Sequence, residues 1–406
     1  MISEADKDII IDLMGKEAFN TSKSSVTFSY ITNPDGSIRW LYPKSLKKPT
    51  FLSFYSTSSI RSKLLSYIIK SAFFVKQAHR ISAGDISLNI SQESKLGQVL
   101  DVYKSNSSGF SIFTGTVGQN RKAIIEMHDE KNIFAFVKIA LTESAKRLVQ
   151  NEAYVLRNLE QFSFHNVTVP KVLKLLSDDI IVLSNIHPKN STQYASITPL
   201  HIQALNQLYT TDLKQKSIKT LPLLEECQQW TDILLKDFEL INTLSKEQIH
   251  IIVDKVSFII SMLRKKDLIM QLSIFHGDFT PWNMYESNEK LYLLDWELSQ
   301  ENIPLLFDIF HFIFQSEIMI KKTEYAGVLK ALKALVNMQD IKSIKKRYDI
   351  DLNVNYMLYL IYNILYYLQK YIQQPTLHQQ VFWQIEAWNN ALDDIIEKDG
   401  KVIYEQ

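Results

Sequence analysis

The chain has 406 residues, with 45 Lys and Arg against 44 Asp and Glu, and a formal net charge of +1. Hydrophobic residues make up 46% and charged residues 22%, which excludes a disordered chain and predicts two or three domains with buried cores. Glycine is scarce, at 10 residues, and this excludes glycine-rich repeats and linkers. The single cysteine, Cys227, excludes a disulfide framework within the chain and argues against a Cys-based metal site.

Neither the N-terminal segment nor the most apolar stretch of the sequence indicates a membrane protein. The first residues, MISEADKDIII, lack a basic segment before an apolar run and do not resemble a signal peptide. The most apolar stretch, residues 354–372, contains Asn355, Asn363, Gln369 and Lys370, so we expect a buried helix instead of a membrane span. These features predict a soluble, cytoplasmic protein.

Residues 1–100 are predicted to form a mixed α+β segment. The turn sequence TNPDGS at 32–37 lies between two apolar runs and predicts a hairpin. Residues 59–75 have helical periodicity, and the apolar residues predicted on one face are Leu64, Leu65, Ile68, Ile69 and Phe73.

From about residue 101 the pattern predicts three strands, a helix over 143–159 and two further strands that end near 186. After about 195 nearly every segment is helical, apart from an interruption at 271–298. The predicted helices are 198–212, 223–239, 246–266, 303–318, 324–337, 354–373 and 376–397.

The near-zero net charge hides a basic segment. Residues 36–80 contain nine Lys and Arg, no Asp or Glu, and several interleaved aromatic residues. Such a segment could contact an anionic membrane surface, a phosphorylated substrate or nucleic acid, or be a solvated basic face. No recognised nucleic-acid-binding motif accompanies the charge, which argues against nucleic acid.

Acidic and amide side chains concentrate in the interruption at 271–298. It contains His276-Gly277-Asp278, then Asn283, and twelve residues further on Asp295, in the run LLDWE. Phosphoryl transfer needs metal ions, oxygen ligands to hold them and a base for the acceptor's proton. Magnesium prefers carboxylate and amide oxygens. The array therefore indicates a base and a metal ligand on one loop, with a second metal ligand, Asp295, at the end of the strand that pairs back beside it.

This array resembles the aminoglycoside phosphotransferase and choline kinase superfamily, whose catalytic loop reads HGDxxxxN and whose metal-binding segment reads IDWE or similar. The resemblance implies a protein-kinase-like α+β fold, with a small β-rich nucleotide lobe and a large helical lobe. It implies Asp278 as the catalytic base, and Asn283 and Asp295 as magnesium ligands.

The upstream sequence agrees with this resemblance. It implies that a loop with Gly115, Thr116 and Gly118 covers the nucleotide phosphates and that Lys138, on a strand like the kinase VAIK strand, contacts them. Glu152 lies on the apolar stripe of the 143–159 helix, where a carboxylate needs a partner, and Lys138 is a sensible one.

Further roles are assigned by position. Backbone groups at Ser184 and Ile186, where the last small-lobe strand ends, are expected to bind an adenine. His276 is expected to orient the catalytic loop, and Glu297 to lie near the metals or the acceptor. Asp308 is expected to brace the loop, although the sequence has Pro-x-x-x-Asp where the family often has Pro-x-x-Asp.

These assignments predict a basic accessory segment at 1–100, a nucleotide-binding lobe at 101–190 and a helical lobe at 191–406. The predicted activity is ATP- and Mg²⁺-dependent transfer of the γ-phosphoryl group to a hydroxyl of a sugar, an amino alcohol or an aminoglycoside-like acceptor. The sequence does not distinguish ATP from GTP. It leaves open a link to surface-polysaccharide metabolism, and the alternative of a nucleotide-binding pseudokinase that scaffolds such an assembly.

Overall fold

A computed structural model of the protein describes residues 2–54, 60–75, 77–103, 109–116, 118–129, 132–236 and 240–403, with the backbone alone at 53, 54 and 60–63. The chain divides into two compact units, residues 1–161 with 170–186 and residues 162–169 with 187–406. The first is rich in strands and the second in helices, which confirms the predicted α+β class.

The first unit contains four helices and eight strands among its described residues. In chain order they are α1 Glu4–Met14, β1 Val26–Thr32, β2 Ile38–Pro43, α2 Ile60–Phe74, β3 Gly84–Leu88, α3 Lys95–Val102, β4 Gly109–Phe113, β5 Lys122–His128, β6 Ile133–Ala140 and α4 Glu143–Leu159; after β7 (Val167–Thr168), which belongs to the second unit, come β8 Val172–Ser177 and β9 Ile180–Ser184.

One antiparallel sheet runs through the first unit in the order β3-β1-β2-β4-β5-β6-β9-β8. The predicted hairpin is β1–β2, and the strands and helix predicted for 101–190 are β4–β6, α4, β8 and β9. Strand β2 joins β4 through the pairs Trp40↔Phe113 and Leu41↔Ile112. The boundary predicted near residue 100 therefore falls within one sheet.

The two faces of the sheet carry cores of different size. The larger core includes residues of α1, α3 and most strands, among them Leu13, Phe28, Val99 and Ile125. The smaller core lies under α2 and consists of Trp40, Tyr42, Phe51, Leu52, Ile69 and Phe73.

The predicted apolar face of α2 is only partly buried. Ile69 and Phe73 are buried, but Leu64, Leu65 and Ile68 are exposed, with 60%, 43% and 47% of their surface accessible. The residues of α2 that reach the small core follow the spacing 66, 69 and 73, so the other side of the helix has no described neighbour to cover it. The prediction of one shared face was wrong for those three residues.

The second unit contains the remaining elements. In chain order they are α5 Pro199–Tyr209, β10 Lys214–Ser217, α6 Pro222–Leu234, α7 Lys246–Arg264, β11 Ile269–Phe275, β12 Met284–Ser287, β13 Lys290–Leu293, β14 Gln300–Pro304, α8 Phe307–Gln315, α9 Glu324–Leu335, α10 Gln339–Tyr348, α11 Leu352–Tyr371 and α12 Gln379–Glu397.

Two small sheets interrupt these helices, with the orders β10-β11-β14 and β12-β13-β7. The helix predicted from 303 begins at Phe307, because residues 300–304 pair with β11 and Leu306 takes a left-handed φ of 73°. A π-helical segment, Ser316–Lys321, follows α8. Helix α10 was not predicted.

The apolar segment 354–372 is a helix of the second unit, α11, and most of its residues are buried. This confirms the expectation of a buried helix. Among the described residues, no helix is both long enough and apolar enough to cross a membrane.

Candidate active site

The loop that follows β11 is held by a buried carboxylate. The backbone N–H groups of His276 and Gly277 donate to the two oxygens of Asp308, at 3.0 and 3.3 Å. Burial raises the pKa of Asp308 to about 7, while both backbone bonds favour its ionised form. The sequence left the register of this aspartate open, and the structure brings it to the backbone of His276 and Gly277.

The ring of His276 joins this loop to the segment after β13. Its Nε2 lies 3.0 Å from the carbonyl oxygen of Leu294, and its Nδ1 accepts from the N–H of Asp278 at 3.3 Å. Burial lowers the pKa of His276 to about 4, so the ring is neutral near pH 7. One tautomer satisfies both contacts, with the proton on Nε2. His276 therefore links the backbone at Asp278 to the backbone at Leu294.

Gly277 is required by the same loop. Its φ is 85°, and a Cβ added there would lie 2.2 Å from the carbonyl oxygen of Leu298. The close approach of the two chain segments at this point excludes any side chain.

Asp278 and Asn283 are in direct contact. The Nδ2 of Asn283 donates to the Oδ2 of Asp278 at 2.8 Å and to its carbonyl oxygen at 3.1 Å. The backbone of Asn283 also accepts from the N–H of Leu294 at 2.8 Å. Because both side-chain bonds of Asn283 use its amide nitrogen, its amide oxygen is the end that can face a cation.

Asp295 lies two residues beyond β13 in a left-handed conformation, with φ of 63°. Aspartate tolerates this region better than most residues, and such conformations are concentrated at functional sites. The sequence predicted that Asp295 ends the paired strand; the strand ends at Leu293 and the chain turns before the aspartate.

The structure adds a residue that the sequence reasoning missed. The Nε2 of His311 lies 3.5 Å from the Oδ1 of Asp278, and the histidine is buried. Its Nδ1 is 3.4 Å from the Nδ2 of Asn363. His311 follows Asp308 by three residues on α8, so the two share a helix face. That spacing is the signal that could have identified it.

A second group missed from the sequence belongs to α11. The pKa of Lys370 is lowered to about 8, chiefly by burial and against the attraction of Glu297 and Asp278. Its ammonium lies 3.7 Å from the ring centroid of Tyr366. The carboxylates of Asp278 and Glu297 also act on Tyr366, whose pKa burial raises to about 12. Helix α11 thus brings a cation and aromatic rings near both carboxylates.

In the first unit, Lys138 and Glu152 form the predicted ion pair. The ammonium lies 2.8 Å from Oε1 and 2.7 Å from Oε2 of the carboxylate. Both residues are buried, and Glu152 has no accessible surface. Helix α4 that carries Glu152 begins where Thr142 caps it by accepting from the N–H of Ala145.

The glycine loop between β4 and β5 is constrained at one end. Gly115 has φ of 79°, and a Cβ there would lie 2.0 Å from the carbonyl oxygen of Lys122. Thr116 and Gly118 are exposed. The loop contacts the start of α4, where the hydroxyl of Ser144 donates to Asn120 at 2.6 Å.

The predicted adenine-binding segment follows the last ladder bonds of β9. The N–H of Ser184 donates to the carbonyl oxygen of Lys171 at 2.9 Å, and the N–H of Asn185 to that of Phe134 at 3.1 Å. Among the residues that the structure describes, no backbone hydrogen bond involves Ile186. Its amide and carbonyl groups are therefore available to a ligand.

The second unit's donor set fits a magnesium ion. The amide oxygen of Asn283, which takes no part in the two bonds to Asp278, and the carboxylate of Asp295 are hard oxygen ligands. A magnesium ion needs only one or two carboxylates beside substrate phosphates and water.

No protein-family model and no curated protein matches this sequence. Solved structures do match. They include a glucosamine kinase with glucosamine, ADP and phosphate, at 12% identity and a TM-score of 0.48 over 77% of this chain and 88% of that one. An ADP-bound aminoglycoside phosphotransferase matches at 13% identity and a TM-score of 0.43, over 72% of this chain and 95% of that one. A macrolide 2′-phosphotransferase matches at 13% identity and a TM-score of 0.39, over 73% of this chain and 96% of that one.

Proposed function

We propose that the protein is a small-molecule kinase, which transfers the γ-phosphoryl group of ATP to a hydroxyl of a sugar, an amino alcohol or an aminoglycoside-like acceptor. The observation that carries this proposal is the setting of Asp278. Its carboxylate is fixed by Asn283 on one oxygen and lies beside His311 on the other, on a loop braced by Asp308.

In this proposal the two oxygens of Asp278 have different tasks. Oδ2 accepts the hydrogen bond of Asn283, which leaves Oδ1 to accept the proton of the acceptor's hydroxyl. His311, 3.5 Å from Oδ1, positions that oxygen without contacting substrate. The fixed carboxylate orients the hydroxyl before the reaction, which is the main contribution a protein makes to phosphoryl transfer.

Asn283 and Asp295 would hold magnesium, which when bound neutralises charge on the transferred phosphate. Lys138, fixed by Glu152, would bind the nucleotide phosphates, and Gly115, Thr116 and Gly118 would cover them. Backbone groups at Ser184 and Ile186 would bind the adenine. A dependence on ATP favours the cytoplasm as the location.

The direct test is an ATP-consumption screen with Mg²⁺ across sugars, amino alcohols and aminoglycosides, with a Asp278→Asn variant as blank. We expect turnover with at least one acceptor, and a loss of about a hundredfold to ten-thousandfold in the variant with nucleotide affinity retained. Asp267→Asn, an exposed residue of the same unit, is the matched control and should keep full turnover. Equal turnover in wild type and Asp278→Asn would refute the assignment.

A pseudokinase that scaffolds a polysaccharide-related assembly is the second candidate. Pseudokinases usually lack a catalytic carboxylate or the strand lysine, and this chain keeps both, in Asp278 and Lys138. Nucleotide binding without turnover on any acceptor in the screen would favour it. Sugars and lipid-linked saccharides are the first acceptors to examine for a link to surface polysaccharides.

A further inference from the structure

Helix α2 has apolar residues on both of its sides. Ser66, Ile69 and Phe73 face the small core, and the ring of Phe73 lies 5.8 Å from Tyr42 and 5.9 Å from Phe51. The opposite side exposes six large apolar residues, which are Leu64, Leu65, Tyr67, Ile68, Phe74 and Val75. Phe74 is 88% exposed and Tyr67 70%. An apolar face of this size is normally covered, and none of the residues that the structure describes covers it.

The charge of the segment around α2 indicates which partner would cover this apolar face. Residues 36–80 contain nine Lys and Arg and no acidic residue. Among the described ones, Lys47, Lys48, Lys70 and Arg80 are exposed. Leucine, isoleucine and phenylalanine beside lysine are the composition of helices that lie in the interface of an anionic bilayer, where the apolar side chains enter the lipid and the cations contact headgroups.

The competing occupants fit less well. A second copy of this chain would meet the same surface in a two-fold dimer and bring like charges together. A single-stranded nucleic acid would need a row of aromatic rings for successive base stacking, whereas this face has two rings, Tyr67 and Phe74, among four aliphatic side chains. A small phosphorylated substrate would use the cations and leave the apolar residues uncovered.

We propose that α2 and the basic residues of the 36–80 segment dock the first unit on an anionic membrane surface, with the exposed apolar side chains inserted at the level of the headgroups. This proposal is independent of the phosphotransferase assignment, because none of these residues belongs to the candidate active site.

Vesicle sedimentation tests the proposal on the full chain. We expect co-sedimentation with phosphatidylcholine vesicles that contain phosphatidylserine, little with phosphatidylcholine alone, and release by salt. The variant Leu64→Ser/Ile68→Ser/Phe74→Ser should bind at least tenfold more weakly. The matched control Ile233→Ser/Ile251→Ser/Phe258→Ser, three exposed apolar residues on helices of the second unit, should bind as wild type. Charge reversal by Lys47→Glu/Lys48→Glu/Lys70→Glu should also abolish binding.

A single labelled variant still tests the proposal if a triple variant folds poorly. The only cysteine, Cys227, is buried, so Phe74→Cys can be labelled selectively with an environment-sensitive fluorophore. Its emission should shift to the blue with anionic vesicles, and that of Phe258→Cys should not. No shift and no sedimentation would overturn the proposal. So would binding that ignores lipid charge, or a dimer in solution that the Leu64→Ser/Ile68→Ser/Phe74→Ser variant abolishes.

Discussion

At the scale of single residues, variants of the ion pair between Lys138 and Glu152 can distinguish an effect on stability from an effect on nucleotide binding. Both groups are buried, and the carboxylate has no accessible surface. A buried charge left without its partner is strongly destabilising, whereas replacing both charges by apolar residues is often close to neutral. In the proposed function, in contrast, nucleotide binding needs the lysine itself.

We therefore predict that Lys138→Met lowers the free energy of unfolding by about 3–5 kcal/mol. The double variant Lys138→Met/Glu152→Leu should recover most of this loss, and neither variant should bind ATP. Urea unfolding and nucleotide titration measure the two effects. Recovery of ATP binding in the double variant would show that the lysine does not contact the phosphates.

His276 gives a residue-scale prediction about pH. Its pKa is about 4 in the fold and near its ordinary value of 6.5 in the unfolded chain, so the unfolded chain binds the proton first as pH falls. The free energy of unfolding should then fall as the pH drops from about 6.5 towards 4, by about 2 kcal/mol between pH 6.5 and pH 5. Urea unfolding of wild type and His276→Gln at several pH values tests this. Identical pH slopes in the two proteins would contradict it.

At the scale of elements, α11 contributes a cation near the proposed acceptor side of Asp278. The ammonium group of Lys370 interacts electrostatically with the carboxylates of Glu297 and Asp278, and removing its charge makes the potential of this region more negative. We predict that Lys370→Met raises the ratio of kcat/KM for a cationic aminoglycoside over that for a neutral sugar, by about tenfold, or ~1.4 kcal/mol. Steady-state kinetics on both acceptor classes gives the ratio.

The matched control for this prediction is Lys216→Met, an exposed lysine on β10, which should leave the ratio unchanged. The KM for ATP should stay constant in both variants. An unchanged ratio of kcat/KM values in Lys370→Met would show that α11 does not influence acceptor choice.

Elements also show what the sequence could reveal. Helix α4 matches its predicted bounds because a threonine cap precedes an apolar stripe that Glu152 interrupts only once, and the candidate catalytic array was recognisable because Asp278, Asn283 and Asp295 lie within 18 residues. His311 and Lys370 were missed because they come from helices further along the chain, and only tertiary packing brings them to Asp278. The exposed side of α2 was missed because periodicity reports apolarity and not the size of the core beneath it.

At the scale of the whole molecule, residues 1–100 are part of the large sheet. They supply β1, β2 and β3, and α1 and α3 pack on the larger core. The sequence suggested an accessory segment. Local sequence patterns do not reveal the pairing between β2 and β4, because it joins residues more than 70 positions apart. Only the folded chain reveals that partnership.

Removal of residues 1–100 should therefore unfold or aggregate the first unit. The deletion would leave β4 as an open edge strand and expose the apolar side chains that face α1 and α3. Expression of residues 101–406, followed by size-exclusion chromatography and thermal melting, is the measurement. A monomeric product that melts cooperatively near the wild-type temperature would show that the segment is dispensable for folding.

The π-helical segment at Ser316–Lys321 has a consequence for tolerated changes of length. Each of its turns holds one residue more than an α-helical turn. Loss of one residue there would let α8 continue as a regular helix, and every later side chain would rotate by about 100° around the axis. The ion pair of Glu317 with Lys321, at 2.6 Å, belongs to the wide turn. A one-residue deletion at 319–321 would thus redirect α9, although none of these three residues is buried.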